Sequence, residues 1–114
     1  MAVLPTPPIV TDDNGAIELY PSVEAARRDM EAIDVLDGVY DVFDGTGSRL
    51  SVGASEGLVQ IWLDPNAEPE PEELIGRLRH FVARVGPDRV GVADVEAASL
   101  EHLIHALARY FDVK

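Results

Sequence analysis

The apolar run Leu58-Val59-Gln60-Ile61-Trp62-Leu63 constrains the fold more than any other stretch of this chain. It is short, it is rich in β-branched and aromatic residues, and turn signals flank it, Glu56-Gly57 before and Asp64-Pro65 after. Such a pattern predicts a strand. Because each buried large apolar side chain contributes roughly 1.5–3 kcal/mol, we expect the strand to be central, with Ile61 inward and Trp62 in or beside the packed region.

The length of 114 residues and a composition of 46% hydrophobic and 26% charged residues are typical of one globular domain. Pro5, Pro7 and Pro8 can neither propagate a helix nor donate to a strand ladder. We therefore expect residues 1–8 to form a flexible tail and residues 9–114 to form a single α+β domain.

Turn and alternation patterns predict an antiparallel sheet. Asn14-Gly15 supplies the positive φ of a tight hairpin between Ile9–Thr11 and Ala16–Tyr20. Glycine-bearing turns then connect three further predicted strands, Val39–Phe43, Leu50–Ala54 and Leu58–Leu63, which form a meander.

Capping residues predict about three helices, packed mainly on one face of that sheet. Ser22 begins the first helix, with Val23, Ala26, Met30 and Ile33 on its buried stripe. The second helix runs from Pro71 to about Val85, and the last begins after Ser99. Between them, Val90-Gly91-Val92 is compatible with a short edge strand or with a helical turn, and we favour the strand.

Charge and cysteine usage exclude several classes of function. The chain has no cysteine, so it has neither a disulfide framework nor a thiolate site, which is compatible with the cytoplasm. Its net charge of −12 disfavours nucleic acid and anionic lipid. No apolar run reaches the ~20 residues of a membrane span. We expect a cytoplasmic protein, and the oligomeric state stays open.

The first part of the chain resembles a known kind of protein. Ile17-Glu18-Leu19-Tyr20, Pro21-Ser22-Val23-Glu24-Ala25-Ala26, Glu31-Ala32-Ile33-Asp34-Val35 and Gly38-Val39-Tyr40 follow one another in a strand-helix-strand order. Over about the first 45 residues, this order resembles small uncharacterised bacterial proteins of the toxin-immunity type. The resemblance implies a protein that binds a toxin, and it assigns no functional residue.

Candidate metal and catalytic patterns have simpler structural explanations. His102 and His105 are one helical turn apart, but the apolar stripe of their helix places them on the solvent face, as it does His80 on its own helix. Gly45-Thr46-Gly47 lacks the lysine and the helix of a phosphate loop. The segments 12–15 and 41–47 lack the calcium-loop pattern. We expect no metal, no cofactor and no enzymatic activity.

Two acid-rich segments and two tyrosines suggest a surface for a basic protein partner. The predicted function is a small acidic protein-binding module, an immunity protein or an adaptor. The alternatives are a small ligand-binding or enzymatic domain with an unrecognised polar site, and a structural or regulatory subunit whose acids serve solubility only. The candidate partner-binding residues are Asp34, Asp37, Asp41, Asp44, Glu68, Glu70, Glu72, Glu73, Tyr20 and Tyr40.

Overall fold

In the computed structural model, which describes residues 4–113, the chain forms five strands and five helices. The strands are β1 (Ile9–Asp13), β2 (Ala16–Tyr20), β3 (Tyr40–Phe43), β4 (Arg49–Ser55) and β5 (Leu58–Trp62). The helices are α1 (Val23–Asp29), α2 (Ala32–Leu36), α3 (Pro71–Val85), α4 (Pro87–Val90) and α5 (Leu100–Tyr110). The predicted α+β class is confirmed, with five helices in the described residues in place of about three.

All neighbouring strands pair antiparallel, in the order β2-β1-β3-β4-β5. The predicted hairpin and meander are both present. Asn14 and Gly15 have positive φ values of 51° and 99°, and Glu56 and Gly57 have values of 53° and 79°, which is the backbone of a two-residue hairpin turn. The alternation of the strands, together with the two turns, therefore sets the register of the sheet.

The prediction that Leu58–Leu63 forms a central strand is wrong, because β5 is an edge strand. Its side chains alternate between two environments. Val59 and Ile61 are buried, whereas Leu58 is 62% and Trp62 47% exposed. The ring of Trp62 covers Gly53 on the outer surface of the β4–β5 hairpin, where a Cβ at Gly53 would lie 3.4 Å from it. The density of apolar residues predicted a strand correctly, but it carried no information about the position of that strand in the sheet.

Helices cover both faces of the sheet, whereas the prediction placed them mainly on one face. Helices α3 and α5 pack over a first buried cluster that includes Val10, Phe43 and Leu78. Helices α1 and α2 pack over a second cluster that includes Ile9 and Val42. Adjacent residues such as Ile9 and Val10 point to opposite faces, and both are completely buried. Helix α1 contacts both edge strands, β2 and β5, so the sheet curls around it.

The predicted first helix is divided into α1 and α2. Ser22 caps α1 as predicted, since its Oγ accepts a hydrogen bond from the Ala25 amide. Met30 then adopts an extended backbone and ends the helix. The break shifts the helical phase, so Ala32 and Val35 pack inward, while Ile33, predicted to be buried, is 64% exposed.

The other helix boundaries follow their sequence signals. Helix α3 spans Pro71–Val85 as predicted, and the Ser99 hydroxyl caps α5 by accepting from the His102 amide. The favoured edge strand at Val90–Val92 is wrong, because Pro87 starts the short helix α4 and Gly91, with a left-handed backbone, ends it.

The predicted tail falls partly outside the described residues, which begin at Leu4. Its described part is attached to the loop between β3 and β4. The Thr6 amide donates to Asp44 Oδ2 at 3.0 Å, and the Thr6 carbonyl accepts from the Gly45 amide at 2.6 Å. The segment Pro7–Pro8 is therefore held against that loop.

Candidate functional site: an acidic face

Strands β1, β2 and β3 place two tyrosines and two acids on the second face of the sheet, the side covered by α1 and α2. Tyr20 and Tyr40 both pack against the second cluster. Asp13 pairs with Tyr40 in the β1–β3 register and so shares its face. Glu18 lies two residues before Tyr20 on β2, which also places it on that face. The four side chains therefore reach the same side of the molecule.

The break between α1 and α2 adds three more acids to this side. Asp29 is the last residue of α1, and its Oδ2 atom lies 2.6 Å from the hydroxyl of Tyr20. The same hydroxyl contacts Oε2 of Glu18. Since a hydroxyl carries one proton, Tyr20 donates to one of the two carboxylates at a time. Glu31 and Asp34 lie at the start of α2.

Burial and nearby acids both raise the pKa values of the two tyrosines. Burial is the largest cause that raises the pKa of Tyr20, and the hydrogen bonds to Asp29 and Glu18 raise it further. Burial likewise raises the pKa of Tyr40, and the negative charges of several nearby acids add to the shift. The acids that act on Tyr40 are Asp34, Asp13, Glu31 and Glu18.

We call this region the acidic face. It consists of Asp13, Glu18, Tyr20, Asp29, Glu31, Asp34 and Tyr40. Four of its carboxylates are exposed and that of Asp34 is half-buried. Among residues 4–113, no arginine forms an ion pair with any of the five. No ion pair within the described part of the chain therefore neutralises their charge.

Asp41, Glu70 and Glu73, which the sequence grouped with Asp34, belong to a different cluster. Arg77 Nη1 lies 2.8 Å from both Asp12 Oδ2 and Asp41 Oδ2, and its Nε lies 3.0 Å from Glu73 Oε1. Arg49 pairs with Asp41 at 3.0 Å and with Glu70 at 3.5 Å. We call these residues the arginine cluster. Its acids are already paired, so they offer a partner much less charge than the acidic face does.

The arginine cluster joins α3 to the sheet. Burial alone lowers the pKa of Arg77, but hydrogen bonds to Asp41, Asp12 and Glu73 outweigh it and leave the pKa raised. The guanidinium groups of Arg49 and Arg77 lie 4.8 and 5.2 Å from the centre of the buried Phe43 ring. This arrangement is a structural contact between layers.

Asp44 is not available to a partner, which removes it from the predicted binding residues. Its side chain is 1% exposed. The carboxylate accepts hydrogen bonds from the amides of Thr6, Thr46 and Ser48 and from the Thr46 hydroxyl, at 2.7–3.0 Å. An Asp-Gly dipeptide is typical of a turn, and here the buried carboxylate of Asp44 stabilises the turn by accepting hydrogen bonds from Thr46 and Ser48.

The three remaining candidate acids are exposed, and none of them is among the acids that act on the two tyrosines. Asp37 caps the C-terminal end of α2. Glu68 lies in the connection after β5, and Glu72 lies in the first turn of α3. They remain predicted partner-binding residues, since no observation places them in the acidic face.

The three histidines are exposed, and His105 lies at an apolar cavity that the sequence did not reveal. Within the described part of the chain, no group of three or more histidines and acids is placed to hold a metal ion. His105 and Glu101, one turn apart on α5, are the polar side chains at this cavity. Periodicity placed His105 opposite the apolar stripe but could not show that the N-terminal segment lies nearby.

Sequence reasoning found Tyr20, Tyr40 and Asp34 but missed Asp13, Glu18, Asp29 and Glu31. One available signal was the strand alternation, which puts Glu18 and Tyr20 on the same side. Asp29 and Glu31 flank the helix break at Met30. The sequence has neither proline nor glycine at this position to signal the break.

Comparison with known proteins adds no relative. The chain matches no protein-family model, no curated protein and no solved structure. In residues 4–113, no helix combines the length and the apolar character needed to cross a membrane.

Proposed function

We propose that the protein is a protein-binding module that covers a basic partner with its acidic face. The observation that carries this proposal is a set of five carboxylates around Tyr20 and Tyr40 that form no ion pair with an arginine in residues 4–113. Carboxylates are strong acceptors for guanidinium and ammonium groups. Tyrosines supply apolar contact area together with a polar hydroxyl, which is why they are enriched at protein interfaces.

The specific form of the proposal is an immunity protein or adaptor in the cytoplasm whose partner is a basic protein such as a secreted toxin. The resemblance of about the first 45 residues to proteins of that type supports it, as does the net charge of −12. Such a function requires no catalytic group, and the proposal assigns none. The field of the acidic face would speed the encounter with a basic surface and disfavour acidic partners.

The experiment starts from the immobilised protein and the cytoplasmic and secreted proteins of its native host. A captured basic protein is then purified, and its association rate is measured against ionic strength. We expect the rate to fall as salt is added, because charges are screened over about 8–10 Å near physiological ionic strength.

Three variants with equal charge changes locate the binding surface. The first carries Glu18→Gln, Glu31→Gln and Asp34→Asn in the acidic face, and we expect it to associate about tenfold more slowly at low salt. The second carries Asp37→Asn, Glu68→Gln and Glu72→Gln and tests the remaining predicted acids. The control carries Glu56→Gln, Asp88→Asn and Glu96→Gln at exposed positions elsewhere. If the first variant and the control are slowed equally, only net charge matters and the acidic face is not the binding surface.

A further inference from the structure

A cavity of about 720 Å³ lies between α5 and the N-terminal segment. Its volume falls within the range of roughly 300–1,000 Å³ that is typical of small-molecule sites. One wall is the stripe of Leu100, Ile104 and Ala108 on α5, and Val113 lies beyond it. Pro7, Pro8 and Pro21 form the opposite wall together with Gly45. The lining is therefore mostly apolar.

The N-terminal part of the proline wall, Pro7–Pro8, is held against the loop between β3 and β4. Thr6 is fixed by its hydrogen bonds to Asp44 and Gly45. The backbone of Pro7 approaches Gly45 so closely that a Cβ there would meet the Pro7 carbonyl oxygen at 2.7 Å. Proline rings also restrict their own backbone. Ligand binding would therefore cost little conformational entropy for ordering this segment.

The polar groups at the cavity have a defined chemistry. Glu101 and His105 lie next to the apolar stripe of α5, and no other polar side chain from residues 4–113 lines the cavity. Among residues 4–113, Glu101 forms no ion pair with an arginine. Among the described residues that line the cavity, Glu101 alone carries a formal negative charge, and the net charge of the protein is −12. A cationic group is favoured here, and an anionic group is repelled.

We propose that this cavity binds a small molecule with an apolar body and a protonated amine. The apolar body lies against Leu100, Ile104 and Ala108, and the ammonium group donates to the Glu101 carboxylate. A neutral imidazole of His105 can accept a second hydrogen bond from the same ammonium. This site shares no residue with the acidic face and does not depend on the function proposed for that face.

Three probes with the same chain length test the proposal by calorimetric titration of the full chain. Decylamine, decanol and decanoate share an apolar body and differ in the charge of the head group. We expect decylamine to bind about tenfold more tightly than decanol, and decanoate to bind most weakly. Glu101→Gln should remove the preference for decylamine over decanol while leaving the binding of decanol unchanged.

Matched variants separate the cavity from general attraction to an acidic protein. Glu96→Gln removes one charge outside the cavity and should keep the preference for the amine. Ala108→Trp fills the cavity and should abolish binding of all three probes. Chemical-shift changes at the Ile104 and Val113 methyl groups of the wild-type protein test the location even if Ala108→Trp fails to fold.

Three outcomes would overturn the proposal. Equal affinities for decylamine and decanol would show an unselective apolar groove. An equal loss of the preference for decylamine in Glu96→Gln and Glu101→Gln would show that net charge alone attracts the amine. Shifts confined to residues away from the cavity would place the amine elsewhere. The triple variant of the acidic face serves as a further control, since it should retain the preference for decylamine, so the two proposals can fail separately.

Discussion

Asp37 and Asp44 are both followed by glycine, yet the structure gives them opposite environments. Asp37 is exposed at the end of α2. Asp44 is almost completely buried and accepts hydrogen bonds from three residues. The dipeptide alone predicts a turn in both cases. Thr46 and Ser48 in its own turn supply three of the hydrogen bonds to Asp44, and the distant Thr6 amide supplies the fourth. The linear pattern does not show these contacts.

Replacing Asp44 tests the importance of this buried carboxylate. Asp44→Ala leaves the amides of Thr6, Thr46 and Ser48 without their acceptor, and we expect it to lower the free energy of unfolding by about 3 kcal/mol or more. Asp37→Ala is the matched control and should change it by less than about 0.5 kcal/mol. Urea denaturation gives both values. Equal effects of the two replacements would contradict the structural role of Asp44.

At the scale of the elements, β5 shows what an apolar run predicts and what it does not. Its length and its flanking turns were recognisable, and the bounds Leu58–Trp62 agree with the prediction to within one residue. Its location at the edge of the sheet was not recognisable from the sequence. An edge strand with one face covered by helices can be as apolar as a central strand.

Neighbouring positions on β5 supply a stringent test of its alternation. Ile61→Asp would place an unpaired charge in the second cluster, and we expect a loss of several kcal/mol in the free energy of unfolding. Gln60→Asp adds the same charge one residue earlier, on the exposed side, and should cost less than about 1 kcal/mol. Thermal unfolding of both variants at one pH measures the difference. A melting temperature for Ile61→Asp close to that of the wild type would show that Ile61 does not face inward.

At the scale of the whole molecule, the arginine cluster joins helices and strands that are far apart in sequence. Arg77 lies 65 residues from Asp12 and 36 from Asp41 along the chain, yet its Nη1 atom contacts both. The apolar packing of α3 over the first cluster and this ion-pair contact together hold α3 against the sheet. It also explains why acids that are near each other in sequence do not all contribute to one surface.

Removal of Arg77 should weaken the link between α3 and the sheet. Arg77→Met retains much of the apolar stem but leaves Asp12, which is 7% exposed, without its cationic partner, and we expect a loss of about 2 kcal/mol or more. Arg84→Met on the same helix is the control, since Arg84 has no ion pair in the described residues, and should cost less than about 1 kcal/mol. Both are measured by urea denaturation.

A second replacement identifies the cause of that loss. In the Arg77→Met background, Asp12→Asn removes the unpaired buried charge while keeping an oxygen that can accept from the Gly15 amide. We expect part of the lost stability to return. If Asp12→Asn instead adds a further loss of its own, the ion pair is not the reason for the effect of Arg77→Met.

Local chemistry accounts for the features that the sequence alone determined. Serine caps at Ser22 and Ser99, proline at the start of α3, the Asn14-Gly15 turn and the alternation along the strands act over a few residues, so they can be recognised in a linear pattern. They predicted an antiparallel α+β fold and the bounds of α3 and β2 correctly.

Long-range packing decided the rest. The edge position of β5, the cover of both sheet faces, the burial of Asp44 and the cavity beside α5 each depend on segments that are distant in sequence. The same holds for the sites. Pairing of β1 with β3 brings Asp13 beside Tyr40, and packing of α1 against β2 brings Asp29 to Tyr20. Asp41 and Glu73 instead pair with Arg77 on the other face. A linear pattern records which side of its own element a residue occupies, and only the packing of the elements determines which of these sides meet.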